Sequence, residues 1–100
     1  MSMTGRDRAA LRAEAHHLKA LVHVGHSGLT PALLDSLDDV LRTHELVKAQ
    51  VAQAGELTAK DAANEIAALM KAEVIQVIGR TFTLYRENPD LKRGSTPPWR

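Results

Sequence analysis

The stretch LVHVGHSGLTPALL, residues 21–34, contains a short strand, a glycine-rich loop and the start of a helix. The apolar residues of LVHV are typical of a strand, and Gly25 is a residue at which strands commonly stop. Thr30 is a candidate helix N-cap, and Pro31 takes the first helical position, where its missing N–H removes no hydrogen bond. The loop between them, GHSG at residues 25–28, is either a plain turn or a surface that contacts a phosphate.

The GHSG loop has the composition of a phosphate-binding loop. Glycine has no Cβ atom, so its backbone can adopt a positive φ and another molecule can approach it closely. At the start of a helix, such a loop presents N–H groups, to which the helix dipole adds a positive potential. The RNA-binding KH module uses a GxxG loop in this way to clamp a nucleic-acid backbone. Because two glycines at this spacing also occur by chance, the spacing alone leaves the plain turn as an alternative.

Helical patterns flank the loop on both sides. Before it, Leu11, Ala15 and Leu18 form an apolar stripe on a helix for which Thr4 is the candidate N-cap. After it, apolar residues continue at helical spacing to Leu41, while three aspartates of the same helix face water. The loop is therefore expected to connect a strand to an amphipathic helix.

Two further elements follow this helix. Residues 46–52 alternate, with Val47, Ala49 and Val51 on one side of a half-buried strand. A third helix is predicted after Thr58, and its apolar face is expected to include Leu69. Gly55 is expected to turn the chain between this strand and this helix.

The last two strands are predicted to form a hairpin. Residues 74–78 and 82–86 are rich in β-branched and aromatic side chains, and Gly79-Arg80 between them suits a two-residue turn with glycine at positive φ. Tyr85 alternates with two apolar residues of the last strand, so it is expected on the opposite face. The order α-β-α-β-α-β-β predicts an α/β fold, a single compact domain with a mixed four-stranded sheet packed with helices, in which strand–helix–strand steps favour parallel crossovers.

The composition is that of a soluble domain. The chain has 100 residues, of which 44% are hydrophobic and 25% charged, and it has no cysteine. The net charge is only +1, but the two ends of the chain are basic and the middle, residues 31–73, is acidic. One face can therefore be cationic if the ends meet in space. No signal peptide is visible and no apolar run approaches the roughly 20 residues of a membrane span, so a cytoplasmic location is expected.

The domain is expected to end near residue 87. Residues 88–100 are polar and contain three prolines, so they are predicted to form a C-terminal tail beside a domain that covers residues 1–87. Trp99 lies in this tail, where disorder, folding back onto the domain and stacking on RNA are all open. We expect the protein to be a monomer.

Neither metal binding nor catalysis is indicated by the sequence. His16 and His17 are adjacent and diverge on a helix, and no H-x₃-H pair or carboxylate cluster accompanies them. Ser27 has no acidic partner at motif spacing, and neither Gly25 nor Gly28 is followed by the lysine of a P-loop. We therefore predict a non-enzyme that has no metal or cofactor.

Three segments occur in order and at compatible spacing: LVHVGHSGLTPALL, HELVKAQV and QVIGRTFTLYR. Together they resemble the CRM domain, the chloroplast RNA splicing and ribosome maturation module, in its stand-alone bacterial YhbY form. The resemblance covers about residues 7–86. It implies a fold similar to the C-terminal domain of a bacterial translation initiation factor. It also implies RNA binding through the GxxG loop and nearby basic residues, and association with ribosomal RNA in precursors of the large ribosomal subunit.

The resemblance and the basic residues near the loop together give a predicted RNA-binding site. Lys48 matches the basic position of the HELVK segment, Arg80 the basic residue after the hairpin glycine, and Arg86 the arginine after the LY pair. Arg12 and Lys19, which are seven residues apart, are added as a basic face near the first helix. The predicted site residues are Gly25, His26, Ser27, Gly28, Arg12, Lys19, Lys48, Arg80 and Arg86.

Each basic residue also has a plainer interpretation. Arg12, Lys19 and Lys48 suit a solvated surface, and Arg80 and Arg86 suit salt bridges to the acidic middle of the chain. One position departs from the family pattern, since many family loops place lysine beside the first glycine where this chain has His26. A histidine is mostly neutral at pH 7, so the departure removes a charge and leaves backbone N–H donors.

A protein–protein adaptor is the alternative function. In that case the acidic helix, residues 31–43, or the proline-containing tail would be the working surface, and the basic ends would only balance charge. Association that survives RNase treatment would identify an adaptor, whereas RNA-dependent association would not survive it.

Overall fold

The computed structural model of the chain describes residues 5–25, 27–52 and 57–87. Within these ranges the order α-β-α-β-α-β-β is confirmed. The elements are α1 (Gly5–Ala15), β1 (Val22–Val24), α2 (Pro31–His44), β2 (Leu46–Val51), α3 (Ala59–Met70), β3 (Glu73–Ile78) and β4 (Thr81–Tyr85). The predictions for the Thr4 cap, the turn at Gly55 and the tail with Trp99 lie outside the described residues.

The four strands form one mixed sheet in the order β1-β2-β4-β3. β1 and β2 are parallel, with Val22 opposite Ala49, and β4 is antiparallel to both β2 and β3. Both helical crossovers therefore join parallel strands, as predicted. The second crossover skips one position, because the hairpin folds β4 back between β2 and β3.

The main core lies between the sheet and the helices α2 and α3. Leu37, Leu41 and Ile66 are fully buried and pack with Phe82 and with the three inward residues of β2. Full burial of a side chain of this size stabilises a fold by roughly 1.5–3 kcal/mol. The predicted inward set of β2, Val47, Ala49 and Val51, is confirmed.

The apolar face predicted for α3 is too wide. Leu69 is 62% exposed, although Ala62 and Ile66 on the same helix are fully buried. The residue lies beyond the stripe that meets the sheet, because α3 packs mainly through its small residues. The expectation that Leu69 belongs to the core is therefore wrong.

A second, smaller cluster lies on the opposite face of the sheet, under α1. Leu11 packs there with Leu46, Ile75 and Tyr85. Tyr85 is therefore on the face predicted for it, and it is 7% exposed. This cluster occupies the end of the sheet near Leu46. The other end of the same face carries polar side chains, including those of Lys48 and Gln50.

The two predicted helix caps that lie within the described residues, Thr30 and Thr58, are present. The Thr30 hydroxyl accepts a hydrogen bond from the Leu33 amide at 3.2 Å, and the Thr58 hydroxyl accepts one from the Asp61 amide at 3.1 Å. Pro31 stands at the start of α2, as expected. No helix within the described ranges is long and apolar enough to cross a bilayer.

Candidate nucleic-acid interface

The GHSG loop is a tight turn that leads from β1 into α2. The Gly28 amide donates to the Gly25 carbonyl oxygen at 3.1 Å, which closes a four-residue turn. Gly28 has a φ of 72°, a conformation that glycine adopts without strain. His26 lies outside the described residues. The backbone conformation at position 28 thus favours glycine.

Some backbone N–H groups of the loop are already hydrogen-bonded within the turn, so they are not available to a phosphate. The Gly28 amide closes the turn, and the Thr30 amide donates to the Gly28 carbonyl oxygen at 3.1 Å. The amides of Ser27 and Leu29 have no hydrogen-bond acceptor among the described residues. These two N–H groups stand just before the amino end of α2, where the helix dipole favours an anion.

The space around both glycines is open. A Cβ atom added at Gly25 or at Gly28 would meet no heavy atom within 4 Å. Gly25, unlike Gly28, does not have a positive φ. Nothing in the described fold therefore requires glycine at position 25, whereas the close approach of another molecule would.

Arg80 is brought beside the loop by the β3–β4 hairpin. Gly79 has a φ of 57°, as the predicted turn needs, and the Val51 amide donates to the Arg80 carbonyl oxygen at 2.9 Å. The hairpin tip is thus fixed against the end of β2, next to the end of β1. Arg80 and Gly25 consequently line one open groove of about 370 Å³.

Lys48 lies on the polar part of the sheet face that α1 leaves open. It stands opposite Thr83 of β4 and lines a small recess together with His16 and Gln76. Gln50 is two residues further along β2, so its side chain is on the same face, roughly 6–7 Å away along the strand. Gln50 also lines the groove beside the loop. Lys48 therefore lies two residues from that groove, on the same face of the sheet.

Arg12 and Lys19 are both exposed, in different places. Arg12 is four residues after Arg8, so the two share one flank of α1. Arg8 donates to the Val74 carbonyl at the start of β3, which places this flank along the β3 edge of the sheet. Lys19 lies in the connection between α1 and β1, so the prediction that Arg12 and Lys19 share a helix face is wrong, because α1 ends at Ala15. Arg12, Lys19, Lys48 and Arg80 have no carboxylate within 4.0 Å among the residues described.

Arg86 occupies a different environment from the other predicted cations. Its guanidinium donates to the Met70 carbonyl at 3.1 Å and to the Asp38 carbonyl at 3.2 Å, and it forms an ion pair with the Asp38 carboxylate at 2.8 Å. Its side chain is only 19% exposed. These contacts favour the structural interpretation of Arg86, and its contact with RNA stays a prediction.

The acidic surface of α2 is largely neutralised by arginine. Asp38 pairs with Arg86 and with Arg42, and Arg42 also forms an ion pair and hydrogen bond with Asp39. The pKa of Arg42 is raised above its ordinary value, first by this hydrogen bond and then by the charges of the two aspartates. The surface that the adaptor alternative would use is therefore less acidic than the sequence suggests.

Two polar residues of the groove are absent from the predicted site. His23 and Gln50 face each other across the β1–β2 pair, and both line the groove with Gly25 and Arg80. Strand alternation shows that Gln50 points away from the core, but the register that brings it to His23 depends on pairing between distant segments. Among the described residues, no group of three or more potential metal ligands is present.

Comparisons with known proteins agree on one family. The family model of the CRS1 / YhbY (CRM) domain matches residues 3–86. The chain is 30% identical to the "Probable RNA-binding protein YqeI" of Bacillus subtilis, over 95% of this chain and 99% of that protein. It is 34% identical to a protein of Haemophilus influenzae named "RNA-binding protein", over 91% of this chain and 92% of that one.

A solved structure supports the fold directly. The solution structure of SAV1595 from Staphylococcus aureus, described as a candidate RNA-binding protein, matches with a TM-score of 0.68 and 29% identity. The match covers 96% of this chain and all of the other. The family and the names of these relatives describe binding proteins and not enzymes, which confirms the non-enzyme prediction. The chain belongs to the CRS1 / YhbY (CRM) domain family.

Proposed function

We propose that this protein binds RNA, and that the surface formed by the GHSG loop and Arg80 contacts the RNA backbone. Family membership and the names of the relatives support RNA as the partner. The location of the RNA-binding surface is supported by one observation, which is that Gly25 and Arg80 line the same groove. It combines an accessible glycine backbone with a cation that has no carboxylate partner among the described residues.

The mechanism is recognition of phosphate groups. A phosphate at the loop would accept hydrogen bonds from the amides of Ser27 and Leu29, in the positive potential at the start of α2. Arg80 would contact a neighbouring phosphate from the hairpin tip. Lys48, Arg12 and Lys19 would then add attraction from the open sheet face and its borders. Such contacts position the RNA without reading its sequence.

The partner is proposed more narrowly from the family resemblance. This partner is large-subunit ribosomal RNA, which the protein binds in precursors of the large ribosomal subunit during ribosome assembly. The protein acts as a monomer in the cytoplasm. A protein that binds through phosphates loses affinity as salt rises, because neutralised phosphates release condensed counterions. Each phosphate contact contributes about 0.7–0.9 to the slope of log affinity against log salt.

The experiment is a titration of labelled large-subunit ribosomal RNA by fluorescence anisotropy at several salt concentrations. The variant is Gly28→Asp, and the matched control is Gly28→Asn. Both side chains tolerate positive φ comparatively well, so each should cost about 1 kcal/mol of stability at this position. Only aspartate places a negative charge beside the bound phosphate. We expect aspartate to weaken binding far more than asparagine, and equal affinities in the two folded variants would remove the loop from the mechanism.

A further inference from the structure

The groove beside the loop is lined by both apolar and polar surface, whereas a phosphate alone would need only polar groups. The carboxyl ends of β1 and β2 form its inner wall, the exposed surface of the groove is mainly apolar, and three polar residues surround it. The wall residues are Val24, Val51 and Ala52, of which Val24 and Val51 turn their side chains into the main core and Ala52 is half-buried, and the polar residues are His23, Gln50 and Arg80. Its volume, about 370 Å³, falls at the lower end of the range of roughly 300–1,000 Å³ for pockets that hold small molecules.

The backbone of this wall is already hydrogen-bonded. The Val51 amide donates to the Arg80 carbonyl at 2.9 Å, and the Ala52 amide donates to the Val24 carbonyl at 2.8 Å. An additional peptide strand would therefore find these two amides occupied. Hydrogen bonds to an occupant would come from the imidazole of His23, the amide of Gln50 and the guanidinium of Arg80. An occupant with flat apolar faces and a polar edge fits such a lining.

We propose that this groove receives one unstacked base of the bound RNA, next to the phosphate held by the GHSG loop. The inference rests on the proposed function, since it assigns a place to the base of a nucleotide whose backbone lies at Gly25. The Gln50 amide offers both donors and an acceptor to the edge of a base. The Arg80 guanidinium is planar and can stack on the face of a base while its charge remains near the phosphates.

The other faces of the domain support this placement. RNA-binding sheets often stack bases on exposed aromatic rings. In the described part of this chain both aromatic residues, Phe82 and Tyr85, are buried, at 1% and 7% exposure. A base that leaves its stack therefore finds no exposed phenylalanine or tyrosine ring on the described sheet, whereas the groove adjoins the loop. The preferred RNA is a helix interrupted by an unpaired nucleotide and not a continuous duplex.

The test compares two RNA hairpins with the same stem, one fully paired and one with a single bulged 2-aminopurine nucleotide. The wild-type protein should bind the bulged hairpin at least about fivefold more tightly, since a stacked base contributes roughly that much or more. The fluorescence of the 2-aminopurine should change on binding. Ala52→Phe, which fills the groove, should abolish the preference while binding to the paired hairpin remains. Ala68→Phe on the exposed surface of α3 is the matched control and should keep the preference.

A second variant keeps the test decisive if Ala52→Phe does not fold. Gln50→Ala removes the amide from a half-exposed position and should reduce the preference without lowering the affinity for the paired hairpin. Equal binding of both hairpins by the wild type would overturn the base site while leaving RNA binding intact. A preference that both folded groove variants retain would overturn it as well. Failure of the wild type to bind either hairpin at low salt would overturn the proposed function itself.

Discussion

The Val51 amide donates to the Arg80 carbonyl oxygen at 2.9 Å, and this bond fixes the tip of the β3–β4 hairpin against the end of β2. β2 is paired in parallel with β1, whose last residue precedes the GHSG loop. Arg80, near the carboxyl end of the domain, is thereby held beside a loop that lies much earlier in the sequence. The candidate RNA surface depends on this arrangement of three strand ends.

Replacing Gly25 with alanine separates a binding role from a folding role. No positive φ is required there and a Cβ atom would meet nothing within 4 Å, so Gly25→Ala should leave the stability unchanged or raise it by about 0.4–1 kcal/mol. RNA affinity should fall, because the new methyl group stands where the RNA backbone approaches. Urea denaturation and anisotropy titration measure the two effects. Gly5→Ala in α1 is the control, and a Gly25→Ala protein with wild-type affinity would contradict the close approach.

Truncation of Arg80 should weaken RNA binding and leave stability nearly unchanged, whereas truncation of Arg86 should lower stability. Arg80→Ala removes an exposed side chain, so stability should change by less than about 0.5 kcal/mol while the salt slope of RNA binding falls by about 1. Arg86→Ala removes hydrogen bonds to the carbonyls of Met70 and Asp38, and it should cost about 2 kcal/mol of stability. Its effect on the salt slope should be negligible. A large loss of slope in folded Arg86→Ala would instead support the predicted contact of Arg86 with RNA.

The two threonine caps form a natural matched pair. Thr30→Ala and Thr58→Ala each remove one hydroxyl that accepts from a helix amide, so each should lower stability by about 1 kcal/mol. Only the Thr30 cap adjoins the loop, and its loss frays the start of α2 where a phosphate would bind. RNA affinity should therefore fall in Thr30→Ala and not in Thr58→Ala. Equal affinities in the two variants would show that the order of this helix start is irrelevant to binding.

Arg8 is expected to protect the exposed edge of the sheet. β3 is an edge strand with an irregular register between Val74 and Gln76, and the Arg8 guanidinium donates to the Val74 carbonyl at 3.0 Å and pairs with Glu73 at 2.6 Å. Arg8→Ala would expose that carbonyl to a strand of another molecule. Light scattering during concentration should show more association than for Arg12→Ala, on the same helix flank. Identical behaviour of the two variants would assign edge protection to the irregular strand alone.

The features that were predictable from sequence are those set by a few neighbouring residues. A cap such as Thr30 needs only its own hydroxyl and an amide three residues later, and the alternation that buries Val47 is likewise local. The hairpin at Gly79 was predictable for the same reason, since a two-residue turn requires positive φ at a known position. The three segments that resemble the CRM domain extended these local predictions to the family.

The features that were not predictable depend on contacts between distant segments. The groove requires Arg80 to meet the end of β2, and the place of Gln50 in it requires the β1–β2 register. Arg86 is held by the middle of α2 and the end of α3, which a linear pattern does not bring together. Leu69 was misplaced because the width of a buried helix face is set by what packs against it.

The most direct measurement of the central claim is an NMR titration of ¹⁵N-labelled protein with a large-subunit ribosomal RNA fragment. If the loop holds a phosphate, the amide resonances of Ser27 and Leu29 should shift the most, together with Gly25 and the Arg80 side chain. Resonances of Asp39 and Arg42, on the arginine-paired surface of α2, should remain in place. Shifts confined to that surface of α2, with the loop amides unchanged in the presence of bound RNA, would contradict the account.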